Sequence, residues 1–131
     1  MKQSAIREKS FEFALKVIEL YKMLKADHEF VLSRQLLRAG TSIGANVEEA
    51  NAGQSRKDFL SKMSVALKEA REARYWLLLL HRSQLVPADA RPCLEKVEEL
   101  IKLLASIVKT TRESVGGESV SVARVARKTR S

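Results

Sequence analysis

The stretch SRKDFLSKMSVALKEAREARYWLLLL, residues 55–80, decides the fold class. Within it Phe59, Met63, Ala66, Ala70, Ala73, Leu77 and Leu80 recur in alternating four- and three-residue steps, the heptad spacing that lines one seam of an α-helix. Ser55, with Asp58 three residues later, is a capping-box-like start in which the acid replaces the usual Glu or Gln. The three alanines in mid-seam predict close approach of a neighbouring helix. From Tyr75 to Leu80 the pattern changes, because these residues are apolar around the whole helical circumference, whereas a helix in a small bundle buries one side. Something besides the chain's own core is therefore expected to cover that end.

Upstream, Leu32, Leu36, Ala39, Ile43, Val47 and Ala50 form a second helical stripe, with Gly53 standing where a helix C-terminus often takes a left-handed residue. The polar link Ala26 to Glu29 separates it from a first helix, Ser10 to about Lys25, whose stripe is Phe13, Ala14, Val17, Leu20, Tyr21 and Leu24. Downstream, Ser83 to Ala88 is a link, and Asp89 is the expected N-cap of a fourth helix with Pro92 in its permissive first turn. Its inward residues are Leu94, Val97, Leu100, Ile101, Leu104, Ile107 and Val108, and Gly116-Gly117 is the expected stop. Short links between long amphipathic helices predict an all-α, antiparallel up-and-down four-helix bundle over residues 1–115. Residues 116–131 are expected to be a basic, disordered tail.

Composition agrees with one helical domain: 131 residues, 45% hydrophobic and 31% charged, with five Gly and two Pro. Cys93 is the only cysteine, which excludes an intrachain disulfide and suits a reducing compartment. The N-terminus lacks a secretory pattern, and the longest apolar run, Tyr75 to Leu80, is far below the roughly 20 residues of a membrane span. A cytoplasmic protein without membrane contact is expected.

Chemistry-bearing constellations are absent from the sequence. His28 lies in a link and His81 has no Glu three residues before it, so no Glu-x-x-His metal pair exists and both histidines fit helix ends. No phosphate loop occurs; Gly40 and Gly44 fall inside a helix, where they permit tight helix contact. Cys93 has no histidine near it in sequence and is expected to be inert. No catalytic, metal or cofactor site is predicted, and the expected protein is not an enzyme.

Two polar sets carry the functional expectations. Gln35, Ser42 and Glu49 fall in a line beside the second helix's apolar stripe, with Asn46 nearer the core and Arg38 farther out. Such boundary residues make interhelical or intersubunit hydrogen bonds that fix register, or else form a recognition surface. With Tyr75, Trp76, Leu78 and Leu79, the residues Gln35, Ser42 and Asn46 make up the candidate oligomer interface. The second set is basic. The formal net charge is +8, and Arg34, Arg38, Lys57, Lys68, Arg71 and the tail residues Arg124, Arg127, Lys128 and Arg130 are candidate nucleic-acid contacts. Glu48, Glu49, Glu69 and Glu72 interleave with the helical cations, a pattern that also describes an ordinary solvated face. Aromatic residues are only 5% of the chain, which argues against recognition by base stacking. The expected function is that of a self-associating oligomeric scaffold or accessory protein, with binding of structured RNA as the alternative.

The segments Ser33-Arg34-Gln35-Leu36-Leu37-Arg38-Ala39, Thr41-Ser42-Ile43-Gly44-Ala45-Asn46-Val47-Glu48-Glu49 and Tyr75-Trp76-Leu77 give the chain a further likeness. It resembles the bacterial four-helix bundle family named after proteins encoded in intervening sequences of 23S ribosomal RNA genes. Ala50 departs from the commoner pattern, which has Gly after the Asn-x-x-Glu group. The resemblance implies an up-and-down bundle, a homo-oligomer that is often a ring of five, and no established catalysis or cofactor. A similar small basic bundle is the accessory protein of diversity-generating retroelements, which implies template RNA or a reverse transcriptase as a partner.

Overall fold

The computed structural model describes residues 2–129, with side chains described through Gly117. Four helices follow one another: α1 (Lys2–Ala26), α2 (Val31–Ala52), α3 (Arg56–Ser83) and α4 (Arg91–Thr129). Each packs on its two neighbours around a square, with α1 also meeting α4 and, among the described residues, no close backbone approach across either diagonal. Consecutive helices joined by short links and packed side by side must run antiparallel, which gives the up-and-down bundle.

Local chemistry sets the helix ends. The α1 terminus closes as a Schellman motif: the Glu29 amide donates to the Leu24 carbonyl (2.9 Å) and the His28 amide to that of Lys25 (3.0 Å), with His28 left-handed at φ 61°. Glu29 then turns to α2, where its buried carboxylate accepts from the amides of Val31 (3.1 Å), Leu32 (2.9 Å) and Ser33 (2.6 Å). Ser55 Oγ accepts from the Asp58 amide at 3.1 Å to start α3, as its spacing predicted. Asp89 Oδ1 accepts from the Arg91 amide at 3.0 Å at the start of α4, and Pro92 sits harmlessly in that first turn.

Three expected boundaries are corrected. α1 begins at Lys2 rather than Ser10, because Ile6 and Ser10 continue its buried stripe beneath the charged residues Arg7, Glu8 and Lys9. Gly53 is not left-handed; its φ is −65° and ψ 150°, so the chain leaves α2 extended. The expected stop at Gly116-Gly117 is also not taken, since neither glycine has positive φ and α4 runs on to Thr129. The side chains of the tail expected over 116–131 lie outside the described residues from position 118 onward.

The core confirms the seam over which the fold was read. Met63, Ala66, Ala70, Ala73 and Leu77 are fully buried, facing Leu36, Ile43 and Val47 of α2 and Val97, Leu100 and Leu104 of α4. Gly40 meets α1 so closely that a Cβ there would stand 2.9 Å from Val17 Cγ2, whereas one at Gly44 would find its nearest neighbour, Ser10, at an ordinary 3.6 Å. Close approach is therefore built on Gly40 rather than on both glycines.

Candidate nucleic-acid interface

The apolar core sets which face of each helix turns inward, and ion pairs mark the edges along which neighbours meet. Across α2 and α3, Arg38 bonds Glu69 (3.1 Å) and Glu72, and Lys62 bonds Glu49 at 2.8 Å. Across α3 and α4, Arg74 bonds Glu98, and Arg56 Nη1 donates to Ser114 Oγ at 2.5 Å. Arg7 with Glu48 (3.1 Å) closes the α1–α2 edge, and Lys9 with Glu99 (3.4 Å) the α1–α4 edge.

These anchors sort the charges of α3. Successive helical residues differ by about 100°, so Glu69 and Glu72 turn to α2 while Lys68 and Arg71, one position earlier in each case, turn outward on the α4 side. Lys57 lies on the same outer stripe. On α3 the interleaved carboxylates Glu69 and Glu72 are paired with Arg38 across the α2–α3 seam, so Lys68 and Arg71 keep no partner although Glu72 stands one turn from Lys68. Across the seam α4 adds Lys102, Lys109 and Arg112, which sequence reasoning missed because their helix was read only for its apolar side. All six are exposed, and none has a hydrogen-bond or carboxylate partner among the described residues. Between the levels of Lys57 and Arg71 no carboxylate stands between the two rows; Glu98 pairs with Arg74 beyond their end, and Glu113 borders them on the α4 crest.

The other basic candidates do not join this face. Arg38 is held by Glu69 and Glu72 at the opposite edge of α3, and Arg34 Nε donates to the Phe30 carbonyl at 2.8 Å on α2. The side chains of Arg124, Arg127, Lys128 and Arg130 lie outside the described residues.

The candidate interface residues also divide. Trp76 lies seven residues after Glu69, and Val31 seven before Arg38, so both continue the α2–α3 seam toward the link end. Gln35 and Ser42 share that edge. Neither bonds another helix, and Asn46 Nδ2 donates to the Ser42 carbonyl of its own helix (2.8 Å), so this set does not fix interhelical register within the chain. Tyr75 and Leu78 instead turn to the α4 side. The chain itself covers more of this end than expected: Leu77 and Leu80 are core, Trp76 packs on the core and Leu78 is half-buried, while Tyr75 stays 55% exposed and Leu79 36%. Val31, 70% exposed, adds an apolar residue that the sequence reading counted in no interface. Tyr75 and Trp76 meet edge to face at 5.2 Å, and the buried Trp76 Nε1 has no acceptor.

Among the described residues no group of His, Cys, Asp and Glu is disposed to hold a metal. Cys93 is buried, and burial pushes its thiol up to about 11, the opposite of a nucleophile's requirement. Among the described residues no helix is long and apolar enough to cross a membrane.

Comparison with known proteins agrees with the fold. A crystal structure of a protein of unknown function from the S23 ribosomal protein family of Bacteroides thetaiotaomicron VPI-5482 is 47% identical, with a TM-score of 0.78 over 83% of this chain and 99% of that one. No curated protein matches. The family described as 23S rRNA-intervening sequence protein matches residues 2–106, which takes in Lys57, Lys68, Arg71 and Lys102 and stops within α4 before Lys109 and Arg112. With a match running from the start of α1 deep into α4, this chain belongs to the 23S rRNA-intervening sequence protein family.

Proposed function

We propose that this chain is a non-enzymatic bundle that binds structured RNA through the outer face of α3 and α4. The observation that carries it is the segregation of charge: six exposed, unpaired cations share one face, while most acids of the neighbouring helices are engaged elsewhere. Leaving like charges together destabilises a fold, and an anionic partner compensates that repulsion. RNA supplies a dense array of phosphates, and neutralising them releases counterions. Fluorescence anisotropy with a hairpin RNA tests the reading. Affinity is expected to fall steeply as salt rises, with the log–log slope reduced by about one for each phosphate contact removed, as in Lys68→Glu or Arg71→Glu. Lys22→Glu, an exposed charge on α1, is the control and should matter little. Absence of binding at low salt, or equal binding by all variants, sinks the proposal.

A second reading, self-association as a scaffold or accessory protein, draws on a different observation. Val31, Tyr75 and Leu79 remain exposed beside the partly buried Trp76 at the link end of α2 and α3. Apolar residues grouped in this way favour a partner surface.

A further inference from the structure

The cations of the α3–α4 face form two rows, one on each helix. The antiparallel register fixed by Arg56 with Ser114 and Arg74 with Glu98 sets Lys57 level with Arg112 and Lys68 level with Lys102. At 1.5 Å per residue these two cross-helix pairs stand about 16 Å apart along the bundle. Neighbouring helix axes lie about 8–10 Å apart, so the pairs mark the corners of a rectangle, with Arg71 and Lys109 as further cations on the same rows.

We infer that this face takes double-stranded RNA rather than a single strand, an inference that rests on the RNA reading above. A single backbone is one line of phosphates. Laid along the bundle it meets one row and leaves the opposed row uncompensated. Duplex DNA carries a charge about every 1.7 Å of axis over its two strands, and an RNA duplex with its shorter rise at least as many, so about 16 Å brings roughly nine phosphates or more, about half of them facing the protein from two backbones. That spacing and two-line arrangement suit the rectangle. The face also lacks what single strands need: no aromatic side chain stands between the rows, and Tyr75, one turn beyond Arg71, is engaged edge to face with Trp76. Recognition therefore goes through backbone and shape, the mode by which proteins read duplex RNA.

The test compares a blunt 20-base-pair RNA duplex with a 40-nucleotide oligouridine of nearly the same phosphate content, by anisotropy on the full chain. The duplex is expected to bind about tenfold tighter or better. Lys68→Glu on α3 and Lys109→Glu on α4 should each weaken duplex binding several-fold, with helical circular dichroism unchanged. Equal or tighter binding of oligouridine, or loss confined to the α3 variant, overturns the duplex assignment while leaving RNA binding in place. If neither RNA binds, the broader reading falls as well. A DNA duplex binding as tightly as the RNA duplex overturns the RNA assignment and upholds the two-backbone one.

Discussion

At the scale of single residues, Gly40 and Gly44 look equivalent in sequence and differ in space. Replacing a helical glycine with alanine gains about 1 kcal/mol of propensity. At Gly44 the new Cβ fits, so Gly44→Ala should raise the midpoint of urea unfolding. At Gly40 it meets both γ-carbons of Val17, at 2.9 and 3.0 Å, and that side chain is fully buried with no room to yield. Overpacking of this kind costs about 1–3 kcal/mol, so Gly40→Ala should lower the midpoint. The reverse order would mean that α1 and α2 are not clamped at this point. Cys93 gives a second prediction. Its thiol is raised from 9.0 to about 11 by burial, so its contribution to stability is fully present below about 9 and is lost as pH rises through about 11. At pH 8 the native thiol should resist iodoacetamide over the time in which the urea-unfolded chain is alkylated; equal rates would refute its burial.

Helices are held at their ends by side chains whose roles depend on turns rather than on propensity. Glu29 lies in a polar link, yet its carboxylate gathers three amides of α2 while its own amide closes α1. Loss of such a cap costs about 0.5–2 kcal/mol, so Glu29→Ala should lower the thermal midpoint measurably, with Glu29→Gln intermediate because it keeps one acceptor oxygen. An unchanged midpoint in Glu29→Ala would show that water replaces the carboxylate without loss. The Ser55 cap was legible because it sits three residues before its partner amide and directly ahead of an apolar run. Glu29 was not, because a left-handed His28 intervenes and no sequence spacing announces it.

For the whole molecule, the question is whether the bundle stands alone. Fully burying a large apolar side chain contributes about 1.5–3 kcal/mol, and roughly half of that remains available to a side chain already half-covered, as Tyr75 is. Contact repeated by symmetry at Val31, Tyr75 and Leu79 would multiply that gain. Light scattering is expected to give a mass above the 14.7 kDa of one chain, near fivefold if the ring implied by the family resemblance forms. Val31→Glu and Leu79→Glu, both at exposed positions, should return a helical monomer. A wild-type protein that remains monomeric at high concentration rules the interface out.

The sequence by itself determined the four helices, their apolar faces and the antiparallel order, because periodicity of 3.6 residues and short links are local properties carried by neighbouring residues. It also exposed the three-alanine seam on which α3 is buried. What it left unresolved was which way each polar flank turns once the helices pack. Glu69 and Lys68 are adjacent in the chain, and it is the side on which α2 packs that puts Glu69 within reach of Arg38 and leaves Lys68 toward α4. Lys102, Lys109 and Arg112 join Lys57, Lys68 and Arg71 only because two helices distant in sequence run side by side in opposite directions. The α3–α4 register is marked by pairs such as Arg74 with Glu98, and a register between helices is a property of tertiary packing alone.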